Sequence, residues 1–214
     1  GSSGSKVVTI NPSRLGDDIR NLTNFNGTLY FTADENANYG NELWKSNGTS
    51  SGTELVKNIR SSRDDSNPGN LLALDSVLLF SANNGSVGSE LWRSKGTDVT
   101  TELVMDINSG SPNSEISQMT NFDNKAYFSA IDGVNGRELW VSDGTTAGTH
   151  IFMNAATGDK NSNPTQLMAS DDKLYFILED SATGNELWVT DGTNGGTHLL
   201  NSNIRMNFKN CRNN

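Results

Sequence analysis

The feature that most constrains this chain is an internal repeat. Glu-Leu-Trp occurs at Glu42-Leu43-Trp44, Glu90-Leu91-Trp92, Glu138-Leu139-Trp140 and Glu186-Leu187-Trp188, at a period of 48 residues. Each copy has a glycine two residues before the Glu (Gly40, Gly88, Gly136, Gly184) and a Gly-Thr pair after the Trp (Gly48-Thr49, Gly96-Thr97, Gly144-Thr145, Gly192-Thr193). A further Thr then opens an apolar run (Thr53, Thr101, Thr149, Thr197). Upstream, each copy has an apolar run ending in Phe: Tyr30-Phe31, Leu79-Phe80, Tyr127-Phe128 and Tyr175-Phe176. A unit of this size buries its apolar faces by stacking on its neighbours, so the period points to a repeat architecture.

Within one period four short runs read as strands, each β-branched, aromatic or alternating and bounded by turn residues. In the first copy they are Asn21–Phe25, Thr28–Ala33, Glu42–Ser46 and Thr53–Ile59. Asn26-Gly27 is a strong hairpin signal between the first two, replaced later by Asp75-Ser76, Asp123-Asn124 and Asp171-Asp172. Short links inside the unit and a longer polar link between units describe an antiparallel meander repeated radially. The predicted fold is all-β: a β-propeller of four blades, each of four antiparallel strands.

The fourth-strand pattern occurs once more, at Lys6–Ile10, ahead of the first full copy. The last copy's own version, His198–Asn203, turns polar. We therefore expect Val7, Val8 and Ile10 to complete blade four and hide its edge; the competing reading is a piece of a longer array whose end strands pair between molecules. Residues 1–5 read as a tag or flexible N-terminus, 6–204 as a single four-repeat propeller and 205–214 as a C-terminal tail.

Glu138-Leu139-Trp140-Val141-Ser142-Asp143-Gly144-Thr145, continuing to Gly148-Thr149, resembles the ELWxxDGT repeat family across residues 6 to 204. Copies three and four match the motif fully; copy one has Asn47 for the Asp, and copy two has Lys95 there and Thr100 for the second Gly. The resemblance implies a propeller-like repeat and export, hence an extracellular or cell-surface location, with a binding or adhesive role; it implies no reaction.

The charge balance, 16 Lys+Arg against 25 Asp+Glu for a net −9, leaves no basic stripe to neutralise phosphates, so nucleic acid is excluded as a partner. No apolar stretch approaches the length of a membrane span, and membrane insertion is not expected. A single cysteine, Cys211, forms no internal disulfide. No phosphate loop, nucleophile elbow or metal-ligand spacing occurs, and no cofactor, metal or catalytic residue is assigned.

The repeated residues are read first as structural. Trp44, Trp92, Trp140 and Trp188 fill the wedges between neighbouring sheets, with an exposed sugar-stacking platform as the alternative. Glu42, Glu90, Glu138 and Glu186 share the strand face of their Trp; buried carboxylates need partners, and turn N–H groups or nearby Thr hydroxyls would supply them. His150 and His198 fall at the repeat position of Glu54 and Glu102 and are expected to be exposed.

Ligand binding is assigned to the blade face carrying the second-to-third-strand loops and the interblade connections, where the copies vary most. It presents Tyr39, Arg63, Asp64, Asp132, Arg137 and Asp180, and Tyr39 with Arg137 offers stacking and hydrogen bonding suited to a sugar. The function expected first is a non-enzymatic binding or adhesion module, glycans or surface proteins being its partners. A self-assembling structural subunit, associating through the terminal strands, is the alternative; a glycan-processing hydrolase is the distant one.

Overall fold

The computed structural model describes residues 18–35, 38–156 and 158–201. They form the four sheets expected. Blade one is β1 (Arg20–Phe25), β2 (Thr28–Asp34), β3 (Asn41–Ser46) and β4 (Thr53–Lys57). Blade two is β5 (Gly69–Ala73), β6 (Leu78–Asn83), β7 (Ser89–Ser94) and β8 (Glu102–Met105). Blade three is β9 (Ser117–Phe122), β10 (Lys125–Ile131), β11 (Arg137–Ser142) and β12 (His150–Met153). Blade four is β13 (Thr165–Ser170), β14 (Lys173–Asp180), β15 (Gly184–Thr190) and β16 (His198–Asn201). Each is an antiparallel meander in chain order, as the short links require. Asn26 and Gly27 both take positive φ (51° and 79°), the two-residue turn whose twist matches the flanking strands.

The middle strands are buried on both faces, so their apolar runs are continuous where a half-exposed sheet would alternate. Leu78, Phe80 and Ala82 of β6 pack with Trp92 against Leu43, Tyr30 and Val56 of blade one. Leu79, one residue out of phase on β6, joins Leu91 and Val104 against Phe128, Ala130 and Trp140 of blade three. Phe122, Tyr127, Leu139 and Val141 meet Leu174, Phe176 and Leu178 of blade four in the same way. Trp92, Trp140 and Trp188 thus fill the wedge toward the preceding blade. Trp92 and Trp140 are buried; Trp188 is half-buried, and Trp44, which among the described residues packs on Phe31 and Ala33 of its own blade, is half-buried too.

β1, β5, β9 and β13 are innermost: β1 packs on β5, β5 on β9 and β9 on β13, and among the described residues no comparable contact joins β13 to β1. The expected closing strand, Lys6–Ile10, lies outside the described residues, as do residues 1–5 and 205–214. One part of that expectation is corrected. Blade four already has a fourth strand of its own, β16, paired as Trp188↔Leu199 and Leu187↔Asn201, the register of Trp140↔Ile151 and Leu139↔Met153 in blade three. Outer-strand pairing is made by backbone groups, so the polar turn of the sequence there does not prevent it.

The fourth strand also ends earlier than predicted, at Lys57 rather than Ile59, because the Ile59 N–H leaves the ladder to donate to Glu42. The Gly-Thr turns explain the motif's tolerance of Asn47. In blade three Asp143 Oδ1 accepts from the Thr145 N–H (2.8 Å) and hydroxyl (2.7 Å), while Gly148 N–H donates to Thr145 Oγ1. Asn47 Oδ1 takes the same two bonds in blade one. Only an acceptor is needed. Lys95 offers none, and blade two builds instead a single 3₁₀ turn at Asp98–Thr100, with Thr97 and Thr100 bonded to one another. No described helix is long and apolar enough to cross a membrane.

Candidate functional site

Three of the repeated glutamates, Glu42, Glu90 and Glu138, are latches onto the interblade connectors. Glu42 accepts from the N–H groups of Ile59 (3.1 Å) and Arg60 (3.2 Å) and from the hydroxyl of Ser66 (2.5 Å), which leads into blade two. Glu138 accepts from the N–H groups of Ala155 and Ser162 and from the Ser162 hydroxyl at 2.6 Å. Glu90 takes the N–H groups of Ile107 and Asn108. The hydroxyl partners are therefore connector serines, and the Thr hydroxyls named in the sequence reading bond within their own turns: Thr53 to Ser46 and Thr149 to Ser142, each at 2.7 Å. Burial pushes the carboxyls of Glu42 and Glu90 up to about 7, the hydrogen bonds offsetting part of the rise, and raises Glu138 in the same direction. Glu186 differs: half-buried, it accepts from Thr183 Oγ1 and from Trp188 Nε1.

A second latch ties the innermost strands. In β1 and β5 a bulge places Asn21 and Asn70 at positive φ, and the side chains reach the next blade: Asn21 Nδ2 donates to the Pro68 carbonyl (3.1 Å), Asn70 Nδ2 to the Ile116 carbonyl (2.9 Å). Blade three has Gln118 at this position, also at positive φ (59°), and it makes no such bond to blade four. Left-handed backbone is costly for a residue such as Gln. Where the latch is missing, a groove of about 540 Å³ lies between blades three and four, lined by Glu115, Gln118, Ser129, Arg137, Asn163 and Thr165 together with Ile116, Ser117 and Pro164.

Arg137 organises this groove. Its guanidinium donates to the Glu115 carbonyl (3.0 Å) and to Ser129 Oγ (3.4 Å) and is ion-paired to the Glu115 carboxylate. Its backbone N–H donates to Asn161 Oδ1 at 2.7 Å. Across the groove Asn163 Nδ2 donates to Glu179 Oε2 at 2.7 Å. Amide, hydroxyl, guanidinium and carboxylate groups face one cleft, the set of donors and acceptors that a polyhydroxyl ligand uses.

Of the six residues assigned to the ligand face, Arg137 is the one that lines this groove. Tyr39 is half-buried in the β2–β3 loop of blade one, its N–H on Glu35, so the structure does not bring it together with Arg137 in one groove. Arg63 is exposed, and Asp64 is paired with Arg60 at 3.4 Å. Asp132 and Asp180 are loop caps: Asp132 accepts from the N–H groups of Val134 and Asn135, Asp180 from those of Ala182 and Thr183. Burial pushes Asp132 up, but the bonds from Asn135 and Val134 outweigh it and its pKa falls; the Thr183 and Ala182 N–H groups lower Asp180. Glu115, Gln118, Ser129, Asn163 and Glu179 were missed. For Glu115 and Gln118 the signal was departure from the repeat at aligned positions, Asn67 to Glu115 and Asn70 to Gln118; Ser129 and Asn163 repeat Ser81 and Asn67 and carried no such signal.

No family model matches the sequence, and no curated protein matches it. Among solved structures the chain is similar to a thermostable family-43 glycoside hydrolase (TM-score 0.39, 12% identity, covering 87% of this chain and 72% of that one). It is similar also to an α-L-arabinofuranosidase from Podospora anserina in complex with cellotriose (TM-score 0.37, 12% identity, 86% and 66%). A third is a GH43_12 retrieved from capybara gut metagenome (TM-score 0.33, 11% identity, 92% and 46%). These neighbours are glycoside hydrolases, and the expectation of a module without enzymatic activity is corrected accordingly.

Proposed function

We propose that this chain is a glycan-processing hydrolase of propeller type, with the groove between blades three and four as its sugar site. The observation that carries the reading is the groove itself: Arg137, Gln118, Ser129 and Asn163 present donors and acceptors around a cleft large enough for a sugar unit, beside the carboxylate of Glu115. Hydrolysis of a glycosidic bond uses two carboxyl groups, one to protonate the leaving oxygen and one to attack the anomeric carbon or activate water. Glu115 on the groove wall and Glu179 behind Asn163 are the pair assigned to these roles, with Arg137 orienting the first.

The test is turnover of a panel of 4-nitrophenyl glycosides and oligosaccharides, α-L-arabinofuranosides included, by the wild type, Glu115→Gln and Glu179→Gln. The expected result is hydrolysis of at least one glycoside, slowed by about 10²-fold or more in each variant, the usual contribution of a positioned acid or base. No turnover of any glycoside, or wild-type rates in both variants, overturns the reading.

A further inference from the structure

The lower ends of the three interblade wedges are built differently. Between blades one and two, Lys45 spans the wedge: its Nζ donates to the Gly96 carbonyl at 2.7 Å and pairs with Glu54 at 2.9 Å. Between blades two and three, Arg93 does the same, NH1 on the Gly144 carbonyl at 2.8 Å and Nε on Glu102 at 2.9 Å. Gly96 and Gly144 are the glycines of successive Gly-Thr turns, so each cation is a plug seated on the turn of the next blade. Two further bonds help: Lys57 Nζ reaches the Asp98 carbonyl (3.1 Å), and Thr146 Oγ1 the Val104 carbonyl (2.8 Å).

Between blades three and four the plug is missing. The position of Lys45 and Arg93 is held by Val141, and that of their carboxylate partners by His150. The equivalent turn carbonyl, that of Gly192, receives a hydrogen bond from no described residue, and Asn194, aligned with Asp98 and Thr146, makes no bond across the wedge. A cavity of about 340 Å³ occupies the place, with Val141 and Gly192 in its wall. Tyr127 and Phe152 form an aromatic corner there, their rings 5.1 Å apart and nearly perpendicular. Asp143 adds a carboxylate whose pKa is lowered first by its Thr145 hydrogen bond and also by the charge of Lys125, an exposed side chain that lines the cavity together with His150.

We propose that this cavity binds a primary alkylammonium group, which takes the place that Lys45 and Arg93 fill in the other two wedges. The guest donates to the Gly192 carbonyl, as Lys45 does to Gly96, and its aliphatic stem lies against Val141. The aromatic faces and the Asp143 carboxylate favour the charge over a neutral isostere. The chain displays such seating in both other wedges with its own side chains, once as an ammonium from Lys45 and once as a guanidinium from Arg93. The inference is independent of the upper groove.

The test is NMR titration of the full chain with n-butylammonium and with n-butanol, following Val141, Ile151 and Phe152. Saturable shifts are expected at millimolar butylammonium, with butanol at least tenfold weaker. Val141→Lys supplies an internal plug and is expected to abolish the shifts and raise the melting temperature. Val141→Met fills the stem space without a charge and is expected to weaken butylammonium at least tenfold, which keeps the test decisive if Val141→Lys does not fold. Equal binding of butanol, or full butylammonium binding by either folded variant, overturns the proposal. Putrescine and Nα-acetyl-lysine methylamide run in parallel separate a free polyamine from a lysine of a partner chain, the tighter binder naming the source.

Discussion

The glycine two residues before each Glu-Leu-Trp recurs in all four copies, but the structure gives it two different burdens. Gly136 has φ +75°, and a Cβ there would stand 2.2 Å from the Lys160 carbonyl oxygen and 2.7 Å from its carbon. These are backbone atoms and cannot swing aside. Gly184 has φ +85° and nothing within 4 Å. Alanine at either position meets the left-handed backbone penalty, about 1–2 kcal/mol. At Gly136 it adds the cost of overpacking, about 1–3 kcal/mol, because the connector must move. That connector carries Ser162, whose hydroxyl holds the Glu138 carboxylate, so displacing it strains the latch as well. Gly136→Ala is therefore expected to cost about 2–5 kcal/mol and Gly184→Ala about 1–2 kcal/mol. Equilibrium urea unfolding of the two variants, prepared together, measures the difference. Equal costs would show that backbone conformation alone selects the glycine and that the close approach of the connector is not a constraint.

Trp92→Ala is expected to cost about 3–5 kcal/mol, the range for deleting a buried large aromatic, whereas Trp44→Ala, half-buried against Phe31 and Ala33, should cost about 1–2 kcal/mol; similar urea midpoints for the two would contradict the wedge assignment. Stability should also fall as pH rises from about 4.5 to about 7. Glu42 and Glu90 titrate near 7 when folded and near 4.5 when unfolded, so across that window the native state holds more protons than the unfolded one; their contribution is full below 4.5 and gone above 7. The lowered Asp132 and Asp143 act in the opposite sense but only below about 3.8, outside the window. Urea midpoints at pH 4.5 and 7.5 check this, and a higher midpoint at 7.5 would refute it.

Much of the architecture was legible because it is local. Strand runs, the Asn26-Gly27 hairpin and the Asp143-to-Thr149 turn are decided by residues a few positions apart, and the 48-residue period multiplies one reading by four. Even the tolerance of Asn47 and the rewiring around Lys95 follow from whether a side chain can accept two hydrogen bonds. The sequence also marked the Glu and Trp positions as structural, since a buried carboxylate needs donors and a large ring fills a wedge. It could not say which donors those are.

What only the tertiary structure decided lies between blades. Ser66 meets Glu42 across 24 residues, Asn21 meets Pro68 across 47, and Lys45 meets Gly96 across 51. Whether such a contact forms depends on a side chain in one copy reaching a group of the next, which no single copy displays. Gln118 and Val141 look like ordinary drift when each is compared with its own column of the repeat. Once folded, both fall on the same wedge, between blades three and four, and each removes a bond that the other two wedges make. Two cavities follow from two unremarkable substitutions, because a wedge that loses a latch keeps its shape from the packed sheets on either side. The repeat determined the scaffold by itself; the candidate sites exist where the repeat is broken, and their position became visible only when distant copies were laid face to face.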